Sequence, residues 1–237
     1  MTRHYSENRL LARLGASDYR RLSRDLRAVP LAFEQVIYRA GGPVEYAYFP
    51  LRGVLSAVAV MGDGRAIEVA NVGNEGVSGV AALFGAETTF DEFIVQVEGE
   101  GLRVPVGVLR AEAGRDGPLR RLLLAYSGAY AAQVSCSVAC NGLHKVEQRC
   151  CRWLLMTHDR VGRDEVPLTH EFLAIMLGVR RNGVTEVLQA LRGRGLLEYR
   201  RGRITVLDRR GLEAAACECY EKTRAEYARL LGPEPPR

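Results

Sequence analysis

Residues 168–191 read LTHEFLAIMLGVRRNGVTEVLQAL, and this stretch decides the fold of the second half of the chain. Thr169 is suited to capping a helix over 170–177. Gly178 follows where a tight turn needs a positive φ, and Ala174 is small where two helices must cross closely. Apolar residues keep a helical spacing on both sides of the turn: Leu173, Leu177, Val179, Val184 and Val187. The stretch from about 170 to 189 therefore predicts a helix-turn-helix.

The second helix of this motif has two chemically different faces. Its apolar stripe consists of residues related by three, four and seven positions: Val184, Val187, Leu188 and Leu191. The opposite face carries groups that can pair with base edges in the major groove of DNA, together with the positive end of the helix. The candidate DNA-binding residues of the motif are Thr169, Arg180, Arg181, Asn182, Thr185, Glu186 and Gln189. The alternative is a solvated face on a winged helix that binds another protein.

The segment GRGLLEYRRGRITVLD, residues 193–208, alternates in the manner of a β-hairpin. Its tip is rich in arginine, and a two-stranded wing would place Arg200, Arg201 and Arg203 over a phosphate backbone. Such contacts position a protein on DNA without reading its sequence. We take Arg201 and Arg203 as further candidate DNA-binding residues.

Charge is distributed unevenly along the 237 residues, whose net charge is +5. Residues 141–210 hold 14 Lys and Arg against 8 Asp and Glu, whereas the remainder holds 19 against 20. This imbalance favours a polyanionic partner for the C-terminal part. We expect a soluble, cytoplasmic protein without a membrane contact, because the longest apolar runs, such as 54–61, are too short to span a bilayer. Catalytic motifs such as GxSxG, HExxH or a P-loop do not occur, so we expect no enzyme.

The N-terminal half has the texture of an all-β domain preceded by helices. Residues 7–28 predict two short helices broken near Gly15. From 31 to 109, short β-branched or aromatic segments are divided by glycine-rich turns, and Asp63-Gly64 predicts a hairpin. Strands at this spacing favour a sandwich or barrel. The fold class is therefore α+β.

A long helix is predicted to begin at Asp116-Gly117-Pro118. Its apolar spacing of three and four residues resembles the seam of a two-stranded coiled coil. The candidate dimer-interface residues are Leu119, Leu122, Tyr126, Ala129, Gln133, Cys136 and Cys140. The alternative is a helix packed on its own barrel. A second amphipathic helix is predicted over about 144–160, with Val146, Trp153, Leu154 and Met156 buried.

The order of these elements resembles the Crp/Fnr family of bacterial transcription regulators, related to the cyclic-AMP receptor protein. The motifs that carry the resemblance are residues 168–208 and HKVEQRCCRWLLM, residues 144–156. It implies a jelly-roll sensor domain over 1–115, a dimerisation helix over 116–143 and a winged helix-turn-helix domain over 144–237. It also implies a homodimer on a two-fold-symmetric DNA site, with RNA polymerase as a further partner. On the family pattern, Arg181, Asn182 and Glu186 fall at base-reading positions.

The sensor half departs from the nucleotide-binding pattern of the family. That pattern has a Gly-Glu pair and then an arginine, whereas Gly79 is followed by Val80 and no arginine lies between Arg65 and Arg103. A phosphate would lack its strongest charge-assisted bonds, so we expect no cyclic AMP binding at the usual site. The effector is unknown.

The first of six cysteines is Cys136, which argues against an N-terminal iron–sulfur site. His144 with Glu147, or Cys136 with Cys140, offers too few ligands for a metal. We therefore expect buried, reduced thiols and assign neither metal nor cofactor, with a haem, metal or redox sensor of the same family as the alternative.

Overall fold

The fold is described from a computed structural model that covers residues 7–232. Residues 1–6 and 233–237, at the two ends of the predicted domains, lie outside the described residues. A 3-10 helix, Leu11–Arg13, and a short helix α1, Ala16–Leu22, flank Gly15, as the break predicted there requires. Both helices place leucines in one core with the long helix described below.

Five of the strands in residues 7–232 form an antiparallel sheet that curls into a β-roll. They are β1 (Arg27–Leu31), β2 (Val36–Tyr38), β3 (Tyr46–Val60), β4 (Ala66–Val72) and β5 (Glu92–Pro105), in the order β1-β5-β3-β4 with β2 also paired to β5. The α+β fold class predicted from the sequence is confirmed. The predicted hairpin at Asp63-Gly64 joins β3 to β4, and the Met61 amide donates to the Arg65 carbonyl over 2.8 Å.

Two segments that glycine-containing turns were expected to divide are each one continuous strand in the structure. Residues 46–60 form one strand of 15 residues and residues 92–105 one of 14, with register shifts between Pro50 and Leu55. Gly53 lies at this irregularity with φ of 88°, and a Cβ there would lie 2.5 Å from the Val97 carbonyl oxygen. Glycine therefore permits a bend inside the strand, where the sequence pattern indicated a turn between two strands.

Three helices follow the roll: α2 (Val80–Leu83), α3 (Val106–Ala113) and the long α4 (Pro118–Leu143). α4 has Pro118 at its first turn, as predicted, but its N-cap is Gly117 without a side-chain hydrogen bond. By length and composition alone, α4 could cross a membrane. Its polar Gln133 is nevertheless hydrogen-bonded to the roll, which is the arrangement of a core helix.

The face of α4 predicted to form a dimer seam packs within the same chain. Leu119, Tyr126, Ala129, Gln133 and Cys140 are at most 4 % exposed, and Leu122 and Cys136 are half-buried. Gln133 donates to Asn71 of β4 and accepts from the Tyr227 hydroxyl over 3.0 Å. Five of the seven predicted interface residues are therefore covered within the chain by the roll and the C-terminal helix, and Leu122 and Cys136 stay partly accessible.

The C-terminal part begins with α5 (Val146–Val161), in which Trp153, Leu154 and Met156 are buried as predicted and Val146 is half-buried. Next come β6 (Glu165–Pro167), α6 (His170–Leu177), α7 (Arg181–Gly193), β7 (Leu197–Arg200), β8 (Arg203–Val206), α8 (Arg209–Ala215) and α9 (Cys219–Leu231). Buried residues of α5, α6, α7, β7, β8 and α8 form one core. α9 leaves this core and packs along α4.

Candidate nucleic-acid interface

The helix-turn-helix is built by local sequence signals. The Thr169 hydroxyl accepts a hydrogen bond from the Phe172 amide over 3.1 Å and so caps α6. Gly178 ends α6 with φ of 61°, and Arg180 is the N-cap of α7. Because the turn is fixed at Gly178, α7 leaves it at the angle of a helix-turn-helix unit.

α7 presents its polar residues to solvent and its apolar stripe to the core. Val184, Leu188 and Leu191 are at most 3 % exposed, while Val187 is half-buried. Five of the predicted DNA-binding residues of the motif are exposed on or beside α7, namely Arg180, Arg181, Asn182, Glu186 and Gln189. Thr169, at the start of α6, is exposed as well.

Thr185, also predicted to contact DNA, is held within the domain. The Thr185 hydroxyl donates to the Arg181 carbonyl over 3.1 Å. His170 Nδ1 lies 3.0 Å from the Thr185 hydroxyl oxygen. With these bonds made, Thr185 has little hydrogen-bonding capacity left for a base. Its place in the structure is a bridge between α6 and α7.

His170 is a residue of this region that the sequence analysis missed. Its ring packs on Tyr199 of the wing with 4.3 Å between centroids, so it joins α6, α7 and the wing. Burial, assisted by the charge of Arg181, lowers the pKa of His170. Its only sequence signal is its position directly after the capping threonine.

The wing is the hairpin of β7 and β8, with Arg201 and Gly202 at its tip. Both tip residues have positive φ, 47° and 76°, which is the two-residue type I′ geometry of tight hairpins. Arg200 and Arg201 are exposed, whereas Arg203 is exposed but paired with Glu165 of β6. β6 adds a third strand beside β8, which three residues were too few to predict.

The turn of the helix-turn-helix contacts the roll. A Cβ at Gly178 would lie 2.5 Å from Ile67 Cδ1 of β4, and the rings of Phe33 and Phe172 lie 5.6 Å apart. Val58 of β3 belongs to the core of the C-terminal part. The roll therefore packs directly on α6.

In the segment after Gly79, where the nucleotide-binding pattern of the family would lie, side chains bind nearby backbone carbonyls. Arg110 donates from Nε to the Ala82 carbonyl over 2.9 Å and from Nη2 to Ala86 over 3.3 Å. Thr89 donates to the Asp91 carbonyl, and Phe90 is 80 % exposed. The absence of cyclic AMP binding at this site stays a prediction.

One group of side chains in residues 7–232 has the composition of a metal site. Ligand atoms of Cys140, His144, Cys217 and Cys219 all lie within 4.8 Å of one another. They lie where α4 ends and where α9 begins, away from the exposed face of α7. Sequence analysis missed the group because its two halves are far apart in the chain.

Comparison with known proteins agrees with this architecture. The family model for the Crp-like helix-turn-helix domain matches residues 148–215. No curated protein matches the sequence.

Three solved structures illustrate the agreement in fold. A transcriptional regulator of the CRP/FNR family from Thermus thermophilus is 25 % identical, with a TM-score of 0.64 over 80 % of this chain and 98 % of that one. FixK2 from Bradyrhizobium japonicum is 19 % identical, with a TM-score of 0.70 over 81 % and 98 %. A CRP-family transcriptional regulator, also from Thermus thermophilus, is 23 % identical, with a TM-score of 0.67 over 79 % and 96 %.

The chain combines a β-roll, a long helix and a winged helix-turn-helix whose second helix has an exposed polar face. This is the architecture of a DNA-binding transcription regulator. Residues 148–215 match the Crp-like helix-turn-helix domain family, and the solved structures similar to the whole chain include CRP/FNR-family regulators. These similarities confirm the resemblance inferred from residues 144–156 and 168–208.

Proposed function

We propose that the protein is a homodimeric regulator that reads a two-fold-symmetric DNA site in the cytoplasm. The observation that carries the proposal is the exposed polar face of α7, where Arg181, Asn182, Glu186 and Gln189 stand clear of the core. Arginine pairs best with guanine, asparagine and glutamine with adenine, and glutamate with cytosine. α7 enters the major groove, and the wing arginines contact phosphates.

Dimerisation uses the face of α4 that its own chain leaves uncovered. This exposed stripe follows a spacing of three and four residues and consists of Arg121, Leu124, Gly128, Ala131, Ser135, Val138 and Gly142. Leu124 and Val138 have exposed fractions of 48 % and 67 %. The small residues between them allow two helices to approach closely, and the heptad spacing keeps one seam facing the partner. A two-fold axis along α4 gives the two α7 helices the symmetry of the DNA site.

Regulation acts through the contact between the roll and α6. Ile67 and Phe33 of the roll pack on Gly178 and Phe172, so a shift of β4 reaches the turn that sets the direction of α7. A signal on the roll would change the population of DNA-competent dimers. RNA polymerase is the further partner implied by the resemblance.

The proposal is tested by selecting bound DNA from a random pool with and without cell metabolites. We expect an inverted repeat whose half-sites are one helical turn apart, about 34 Å. Enrichment of a non-symmetric site would remove the dimer from the proposal, and no enrichment at any salt concentration would leave a protein-binding winged helix instead. A change of the selected pool on adding metabolites would reveal the effector.

A further inference from the structure

Four potential metal ligands meet at the junction between the long helix and the C-terminal helix. Cys140 lies in the last turn of α4 and His144 is its C-cap, while Cys217 and Cys219 flank the start of α9. The Cys140 and Cys217 sulfurs are 3.4 Å apart, and Cys219 Sγ is 3.7 Å from His144 Nδ1. In a tetrahedral zinc site with Zn–S bonds of about 2.3 Å, ligand atoms lie about 3.8 Å apart.

The orientation of His144 fits metal binding. Its Nδ1 faces the sulfurs, while Nε2 lies 3.1 Å from Glu218 Oε2. A ligating imidazole has its other nitrogen protonated, and that N–H usually donates to a carboxylate, which fixes the ring and raises its basicity. Glu218 provides this carboxylate from the residue between the two C-terminal cysteines.

The charge of the surroundings is also suited to such a centre. Three thiolates, one neutral histidine and a divalent cation carry a net charge of −1. Arg149 and Arg152 are buried, at 7 % and 6 % exposure, and both interact electrostatically with Cys140 and Cys217. Arg152 Nε has no hydrogen-bond partner among the described residues. A buried anionic centre would offset the cost of burying these guanidinium groups.

We propose that Cys140, His144, Cys217 and Cys219 bind one Zn²⁺ ion in a tetrahedral site with three sulfur ligands and one nitrogen ligand. The set leaves no coordination position open, which is typical of structural zinc. The ion ties α9 to the end of α4 and stands at the break between α4 and α5, where the C-terminal part leaves the long helix. Its role is to hold that junction in one geometry.

The test is metal analysis of the full-length protein purified under reducing conditions. We expect one zinc per chain, and after exchange a Co²⁺ spectrum with thiolate charge-transfer bands and tetrahedral d–d bands. Cys217→Ser and His144→Gln should each lose stoichiometric metal. Cys150→Ala and Cys151→Ala are matched controls, because these buried cysteines lie in the core around α5, outside the four-residue group.

Glu218→Ala tests the carboxylate separately from the ligands. It should weaken zinc binding about 10–100-fold without abolishing it. Glu221→Ala, an exposed residue in the first turn of α9, should leave zinc affinity unchanged. Circular dichroism on each variant separates loss of metal from loss of fold.

Three outcomes would overturn the assignment. The first is that the wild-type protein contains no zinc and also gives no tetrahedral Co²⁺ spectrum. Equal zinc affinity in the wild type and Cys217→Ser is the second. The third is that the purified protein contains iron with inorganic sulfide, or contains a Cys140–Cys217 disulfide and takes up no zinc after reduction. None of these measurements involves DNA, so they stand apart from the proposed function.

Discussion

Arg181 is the first residue of α7, its side chain is 68 % exposed, and its Nε lies 3.9 Å from the carboxylate of Glu171. An exposed pair at that distance contributes little, so the guanidinium is available to a base edge. Arg181→Ala should cost about 1–3 kcal/mol of DNA-binding free energy and relax one position of the half-site.

A gel-shift titration against the selected site measures the effect of Arg181→Ala. Arg20→Ala, which removes the same charge from the exposed face of α1, is the control and should bind as the wild type does. If Arg181→Ala and the wild type bound the selected site with equal affinity, Arg181 would not be one of the residues that read bases.

Glu68 is a buried carboxyl in a hydrogen-bond network that a proton on the carboxyl completes. Ser56 Oγ lies 2.6 Å from Glu68 Oε2 and 2.8 Å from Gln96 Oε1, yet a hydroxyl has one proton to donate. Both contacts are satisfied if protonated Glu68 donates to Ser56 and Ser56 donates to Gln96. Gln96 Nε2 then donates to Thr157 of α5 over 2.7 Å. Desolvation by burial raises the pKa of Glu68 to about 7, in agreement with this network.

The raised pKa gives a stability prediction with a definite sign. Between pH 4.5 and 7 the folded chain keeps a proton that the unfolded chain releases, so the free energy of unfolding falls as the pH rises. The loss from this group is about 3 kcal/mol. Glu68→Gln should remove this fall in urea titrations at pH 5 and pH 7.5, whereas the exposed Glu100→Gln should keep it. A wild type equally stable at both pH values, with no other titrating group to compensate, would contradict the neutral carboxyl.

At the scale of the element, α4 has two faces, and on each face the residues recur every three or four positions. The face with Tyr126 and Gln133 is buried within the chain, and the exposed stripe from Arg121 to Gly142 is the interface proposed for a second copy. Val138→Asp, at an exposed fraction of 67 %, should therefore dissociate the dimer without unfolding the chain, because a charge at a desolvated seam has no partner.

Light scattering reports the mass of Val138→Asp, and circular dichroism its fold. Phe90→Asp makes a similar change at an exposed residue of the roll and should stay dimeric. A wild type that is monomeric at working concentrations, or a Val138→Asp variant that remains a dimer, would exclude the stripe as the interface.

The helix-turn-helix could be predicted from the sequence, whereas the elements that cover α4 could not. Thr169, Gly178 and Val184 act within one motif of about 20 residues, so their spacing alone predicts the helix-turn-helix. The spacing of α4 indicates an apolar face but does not distinguish a second copy from the roll and α9, which are distant in sequence. The group of Cys140, His144, Cys217 and Cys219 is hidden for the same reason, since its halves are separated by more than 70 residues.

At the scale of the whole molecule, the roll and the helix-turn-helix meet at Gly178. Its φ of 61° costs alanine about 1–2 kcal/mol, and a Cβ would also meet Ile67 of β4 at 2.5 Å. Gly178→Ala should therefore lower the free energy of unfolding by more than its backbone cost. In the Ile67→Ala background the loss should be smaller, because the contact is gone and the backbone cost alone remains. A coupling energy of about 0.5–3 kcal/mol in this double-mutant cycle is expected, and strict additivity would exclude the contact.

The excess positive charge of residues 141–210 sets how binding depends on salt. A DNA reader releases counterions, and log K falls with log salt with a slope of about −0.9 for each phosphate neutralised. Arg201 at the wing tip contributes one such contact per subunit in the proposed complex, so Arg201→Asn should flatten the slope by about two per dimer and leave the selected sequence unchanged.

Asparagine suits the Arg201 test because it tolerates the positive φ of 47° and forms Asn-Gly with Gly202, a favoured pair for this turn. The wing therefore stays folded while its charge is lost. Arg20→Asn, at an exposed site of α1, is the matched charge control and should keep the wild-type slope. A slope that Arg201→Asn leaves unchanged would place the wing away from the phosphates, and a wild type insensitive to salt would favour a protein partner over DNA.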